Sequence, residues 1–399
     1  MEYKNGSALS GIRVLDLGNV LSAPLGAAIL ADLGAEVIKV ERPKGGDSAR
    51  FNNPIKDGVS TYFINFNRSK KGITLDMKAE EGKEILRRLI KSADVLIENF
   101  RPGVMDRLGF GYEDVSKLNP RLIYASVSGF GQSGPYSQRA GYDPVAQAMS
   151  GIMSVTGDSP EKVFRCGASI ADVMAGQNLA LAILAALQYR ERTGRGQQID
   201  VALTDVCIIG MSSVNLNYLT FGVIPQPLGN GYVASAPGDV YPTADGRFVT
   251  LAGNQKQWEA MCGVLGHPEW ADMPEFKSNI ERVNNKPILN PLIASETIKY
   301  TTEDIVGRLI QAGLPAGPIM NVGQVVNDEH FGKAREMFTE VEDERLGTVK
   351  IMNQSFKMSE TNPYVRGSAP QLGEHNAEIL QGLGYSEEEI AALKNSAVI

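Results

Sequence analysis

The chain has 399 residues, 43% hydrophobic and 21% charged, with a formal net charge of −7. That composition allows two sizeable cores in an ordinary soluble globular protein, and its acidic balance argues against general nucleic-acid binding. Cys166, Cys207 and Cys262 share no metal or redox spacing, the N-terminus lacks a signal-peptide apolar run, and the apolar stretch Leu179 to Leu187 is too short to span a bilayer, so a cytoplasmic protein with reduced thiols and no membrane partner is expected.

The first 130 residues alternate strand and helix. Ile12 to Leu17 reads as a buried strand, and Pro24 pre-sets a helix over Leu25 to Leu33 that Gly34 stops. Glu36 to Glu41 is the next strand. The helix Glu80 to Ser92 places Ile85, Leu86, Leu89 and Ile90 on one face, and Val95 to Ile97 and Leu122 to Ser126 add further strands. This βαβ succession implies an α/β fold with a doubly wound parallel sheet, whose ligands sit beyond the strand C-termini, at loops 18–24, 41–50 and 98–107. Gln177 to Gln188 follows as a helix apolar almost all round and is expected to be buried. Gln198 to Ala202 is a strand, and a helix is expected from about Asp205 to Tyr218. The Pro/Gly-rich segment from Phe221 to Gly231 marks a linker, beyond which Asp239 to Leu251 reads as a hairpin turning at Asp245-Gly246. Helices near 255–265 and 303–312 complete a smaller α+β unit, and Gly313 to Pro318 is a second linker. The expected division is 1–222 as the first part of a large Rossmann-like domain, 223–318 as the small domain with its linkers, and 319–399 as a segment returning to the large domain, with a strand near Val349 to Met352 and a helix from Glu387 to Lys394.

Few chemistries fit. The loop Gly18 to Gly26 has no GxGxxG, which removes the usual dinucleotide site. His267, His330 and His375 are scattered in polar contexts that suggest solvated side chains, no metal spacing occurs, and no G-x-S-x-G elbow is present. What remains is Asp172, a carboxylate among small and apolar neighbours at the mouth of a helix, which reads either as an N-cap or as a catalytic group. On the ligand edge stand Arg42, Lys78, Arg101 and Arg107, which suit a phosphorylated ligand.

Leu15-Asp-Leu-Gly, Ala31 to Pro43, Glu98 to Gly103, Ser128 to Gly131, Gly194 to Asp200 and Leu372 to Leu380 together resemble the class III CoA-transferases, a group that includes the α-methylacyl-CoA racemases. The resemblance covers nearly the whole chain. It implies two domains, an interlocked homodimer with active sites between domains, acyl-CoA and a carboxylic acid as substrates, and no permanently bound cofactor or metal. Residues matching the family's CoA site are Val20, Leu21, Arg42, Leu75, Lys78, Asn99, Phe100, Arg107 and Tyr142, and Asp172 falls on the catalytic aspartate. In transfer, that aspartate would attack the thioester and carry CoA through anhydride and aspartyl-thioester intermediates, with Gly167 and Ala171 leaving room for a tetrahedral centre and helix-start N–H groups stabilising its oxyanion. The racemase branch pairs the aspartate with a histidine in Gly-His-Asp, where this chain has Gly141-Tyr142-Asp143. A tyrosine is a poor base at neutral pH, which favours transfer over an α-methylacyl-CoA epimerase; a non-catalytic CoA-binding protein remains as a third reading, separated from transfer by covalent labelling of Asp172. The glycine-poor region Leu228 to Gly238 argues against an oxalate-specific enzyme.

Overall fold

The computed structural model describes residues 6–399. Its two compact units are one formed by the chain up to Ile152, Arg165–Phe221 and Glu329–Ile399, and another formed by Met153–Phe164 and Gly222–Asp328.

The first unit runs β1 (Arg13–Asp16), α1 (Ser22–Asp32), β2 (Glu36–Glu41), α2 (Thr61–Asn67), β3 (Lys71–Thr74), α3 (Glu80–Ser92), β4 (Val95–Glu98), α4 (Val104–Leu108), α5 (Tyr112–Leu118), β5 (Ile123–Ser128), α6 (Asp143–Met149), α7 (Ile170–Thr193), β6 (Gln198–Ala202), α8 (Leu203–Gly210) and α9 (Ser213–Phe221). The strands form one parallel sheet in the order β6-β5-β4-β1-β2-β3. Alternate strand residues feed two cores, as a sheet covered on both faces requires. Val14, Val37, Val95 and Ile123 pack with α1 and α7, while Leu15, Ile38, Ile73 and Leu96 pack with α3 and the C-terminal helices Asn376–Gly382 and Glu387–Asn395.

Glycines set the separation of α1 and α7. A Cβ at Gly26 would meet Leu179 Cδ2 at 2.8 Å, and one at Gly176 would meet the Ser22 carbonyl oxygen at 2.7 Å. The close approach brings the first turns of the two helices together.

The outer edge of β3 is closed by the returning C-terminal segment. The Gly72 N–H donates to His375 Nδ1 at 3.1 Å, the Gly72 carbonyl accepts from the His375 N–H at 2.9 Å, and the Thr74 N–H donates to Asn376 Oδ1 at 2.9 Å. His375 is therefore an edge partner rather than the solvated side chain its polar neighbours suggested.

The long helix also departs from expectation. α7 extends through 24 residues and is long and apolar enough to cross a membrane by length and composition alone, so the Leu179 to Leu187 stretch understated it. Its Leu179, Ile183 and Leu187 pack in the core, but Leu181 is 65% exposed, so it is buried on one face only. The single helix expected over 205–218 is two, α8 and α9, because Ser212 turns into the left-handed region at φ 46°.

In the second unit, Gly238–Pro242 and Arg247–Leu251 form the antiparallel hairpin turning at Asp245-Gly246, with Ala316–Pro318 as a third strand. Trp258, Phe276, Tyr241 and Phe248 centre its own core.

Candidate active site

One cavity of about 990 Å³ lies in the first unit, beyond the C-terminal ends of β1, β2, β4 and β5. Val20, Leu21, Arg42, Leu75, Lys78, Asn99, Phe100 and Tyr142 all line it, together with Asp172. Arg107 does not line it; it sits on α4, whose Val104 and Leu108 face the cavity instead. Arg101 is in the wall, as are Lys44 and Arg139. Ser396 and Ala397, unforeseen from the sequence, join the lining because the Asp76 N–H donates to the Val398 carbonyl at 2.8 Å.

Asp172 is the third residue of α7. The N-cap position is Ser169, so Asp172 is not the helix cap, and the Ser169 side chain makes no capping bond. That task falls to Asp143 from α6, whose Oδ1 accepts the Ala171 N–H at 2.8 Å while its Oδ2 accepts from Gln147 Nε2 at 2.7 Å. Gln147 Oε1 in turn accepts the Cys166 N–H at 2.8 Å, so α6 grips the segment leading into α7 at two points. The Ala171 N–H is thereby engaged and cannot serve an oxyanion, while Gly167 does stand in open space.

Burial pushes the Asp172 carboxyl up to about 6, the nearby Asp143 charge adds to the rise, and a hydrogen bond from the Ser22 side chain opposes it. The same surroundings raise the Tyr62 phenol well above its ordinary value, by burial first and then by the Asp172 and Asp47 charges. Glu98, buried at the end of β4, is pushed up to about 7 chiefly by burial, although it accepts the Phe100 N–H at 2.8 Å. Tyr142 is 71% exposed at the cavity rim. Its placement depends on Gly129 and Gly141, since a Cβ on Gly129 would come within 2.6 Å of the Gly141 Cα.

Beneath the cavity floor lies a buried ionic cluster. Lys70 Nζ donates to Asp16 Oδ2 at 2.7 Å and to the carbonyls of Pro24 and Phe66, and Lys39 Nζ donates to Asp47 Oδ2 at 2.9 Å and to the Gly18 carbonyl. Burial opposes the Lys39 charge, but Asp16, Asp47 and Glu41 outweigh it and hold Lys39 above its ordinary value. Burial takes Lys70 down to about 8. Among the described residues, no group of three His, Cys, Asp or Glu side chains is arranged to hold a metal ion.

Residues 9–376 match the model of CoA-transferase family III. The chain belongs to that family. It is 39% identical over 382 residues to a succinate–glutarate CoA-transferase of Agrobacterium fabrum, covering 94% of this chain and 95% of the relative. It is also 39% identical over 371 residues to an acetyl-CoA:oxalate CoA-transferase of Acetobacter aceti, covering 92% of this chain and 94% of the relative. A crystal structure of a CaiB/BaiF family protein from Brucella suis superposes with a TM-score of 0.86 at 38% identity, over 95% of this chain and all of that one. As a family III CoA-transferase, the protein is an acyl-CoA:carboxylate CoA-transferase, with acyl-CoA as a substrate.

Proposed function

We propose that Asp172 is the covalent nucleophile of this transferase and that the cavity beside it holds the CoA moiety. The observation that carries the reading is that Asp172 and eight of the nine residues matched to a CoA site line one cavity. In the first step an Asp172 carboxylate oxygen attacks the thioester carbonyl, the C–S bond breaks, and a mixed anhydride and CoA thiolate result. The thiolate then attacks the aspartyl carbonyl and expels the donor acid, leaving CoA as an aspartyl thioester. The acceptor carboxylate attacks that thioester to form a second anhydride, and the returning thiolate takes the acceptor acyl group and frees Asp172. Each step exchanges acyl groups of similar energy, so no nucleotide hydrolysis is required.

A carboxyl held near 6 is mostly ionised at neutral pH yet more basic than an exposed aspartate, which strengthens it as a nucleophile toward the thioester. Arg42, Lys78 and Arg101 supply positive charge along the wall for the CoA phosphates. Arg107, outside the wall, would contribute to that binding only from the neighbouring α4. The relatives named for glutarate, succinate and oxalate support a dicarboxylic acid as the acceptor. The working assembly in this reading is the interlocked homodimer, and the apolar residues left open on α7, α8 and α9, with Ile209 79% and Phe221 75% exposed, supply surface for it.

The test is incubation with succinyl-CoA followed by hydroxylamine and peptide mass spectrometry. Modification at Asp172, with Asp172→Ala inactive but still binding CoA, is the expected result. An unmodified Asp172 or an active alanine variant refutes the covalent route. Solvent-deuterium uptake at the α-carbon of a 2-methylacyl-CoA without an acceptor acid would assign an epimerase instead.

A further inference from the structure

The segment Gly18-Asn19-Val20 joins β1 to α1 and leads directly into the cavity wall. Five successive backbone polar groups in it are each met by a side chain. The Gly18 N–H donates to Asp16 Oδ1 at 2.9 Å, and the Gly18 carbonyl accepts from Lys39 Nζ. The Asn19 N–H donates to Asn99 Oδ1 at 2.7 Å, and the Asn19 carbonyl accepts from Asn99 Nδ2 at 2.8 Å. The Val20 N–H donates to Asp47 Oδ1 at 3.1 Å.

Val20 holds φ at 66°, in the left-handed region. For a β-branched residue this is a genuine outlier, sustained only where the surroundings fix it. The fixing group is Asp47, itself 1% exposed and immobilised four ways: by Lys39 Nζ at 2.9 Å, by the Ala49 N–H at 2.9 Å, by the Val20 N–H, and through its own N–H to Glu41 Oε2 at 2.9 Å. Lys39 is fully buried in the middle of β2 and ties the same carboxylate to the Gly18 carbonyl.

We propose that Asp47 and Lys39 are positioning residues of the transfer reaction: together they hold Val20 left-handed and so set residues 19–22 against the acyl-CoA cavity and the nucleophile. The consequence reaches the reacting centre because Ser22, two residues beyond Val20, lines the same cavity as Asp172 and its side chain lowers the Asp172 carboxyl. Neither Asp47 nor Lys39 lines the cavity, so neither touches substrate. The proposal rests on the reading of Asp172 as nucleophile and of the cavity as the CoA site.

A double-mutant cycle tests it: Asp47→Ala, Val20→Gly and the pair, with kcat, KM for acyl-CoA and melting temperature measured for each. With valine at position 20, loss of Asp47 releases the left-handed conformation, and kcat/KM is expected to fall roughly tenfold or more. With glycine there, the left-handed basin carries no steric penalty, so the same loss of Asp47 is expected to cost only about twofold to threefold. A role confined to stabilising the fold would lower activity by equal factors in both backgrounds, and that additivity overturns the proposal. Should Asp47→Ala fail to fold, the cycle is run with Asp47→Ser, whose shorter side chain loses both the charge that pairs with Lys39 and the reach to the Val20 N–H. Hydroxylamine-sensitive labelling of Asp172 in the unmodified enzyme separates the outcomes: labelling with an additive cycle removes this proposal alone, and absent labelling removes the functional reading beneath it.

Discussion

Asp143 offers the sharpest handle on the nucleophile, because it touches Asp172 only through its charge and through the start of α7. With the Asp172 carboxyl at about 6, roughly 90% is ionised at pH 7 and roughly 10% at pH 5. If the ionised form attacks the thioester, kcat/KM for acyl-CoA is expected to bend near pH 6 and fall about tenfold per unit below it. The rise from 3.8 to about 6 has burial as its larger cause and Asp143 as its second. Asp143→Asn removes the second cause and keeps a carbonyl oxygen for the Ala171 N–H, so the bend is expected to move to lower pH by less than about one unit. Initial rates from about pH 4.5 to 8.5, compared between the two enzymes, isolate the effect, since ionisations of the substrate are common to both profiles. A bend near pH 4 in the unmodified enzyme, or one that stays in place or moves upward in Asp143→Asn, would refute the reasoning.

The same raised carboxyl has a cost in stability. Its folded value lies above its ordinary 3.8, so the stability it contributes is intact below that value and lost as pH rises through about 6. Asp172→Asn is therefore expected to melt higher than the unmodified enzyme at pH 8, by on the order of 1–2 kcal/mol, with the gain vanishing towards pH 4; an equal or lower melting point at pH 8 contradicts it. Gly26→Ala places a methyl 2.8 Å from Leu179 Cδ2 and 3.1 Å from the Gly176 carbonyl oxygen, and is expected to destabilise the first unit by about 1–3 kcal/mol in chemical denaturation. It should also lower kcat, since spreading α1 from α7 separates Ser22 from Asp172. Lys70→Met leaves Asp16 with Lys39 at 3.8 Å as its remaining ion-pair partner, and a loss of about 3–5 kcal/mol is expected in the same measurement. Arg42→Ala is expected to raise KM for acyl-CoA with little change in kcat, and an unchanged KM would remove Arg42 from phosphate binding.

Five of the six strands of the parallel sheet were legible because buried strands are written as Val, Ile and Leu runs, whereas the edge strand Lys71–Thr74, with Ile73 as its one large apolar residue, was not read. Asp172 stood out because a charge at the mouth of an apolar helix needs a reason. The groups that hold the site in place were harder to read. Lys39 looked like one polar letter in Glu36-Val-Ile-Lys-Val-Glu41, yet a lysine at the centre of a strand covered on both faces must be paired, and that was the available signal. Its partners lie at Asp16 and Asp47, and no local spacing joins them. Asp143 was visible only as a neighbour of Tyr142, because capping from another helix leaves no mark in the sequence around Ala171. The break between α8 and α9 falls at Gly210-Met211-Ser212-Ser213, a glycine and two serines that the reading of one helix over 205–218 passed over, with Ser212 taking the positive φ.

The outer edge of the main sheet offers a last consequence. An open strand beside five parallel neighbours is a template on which a second molecule could add a strand. Here His375 and Asn376 occupy the outward-facing groups of Gly72 and Thr74, so two residues from the far end of the chain act as an abbreviated seventh strand. They make that edge a poor nucleus for fibrous or amorphous association. Loosening this small seal would reopen the edge to strand pairing by a second molecule.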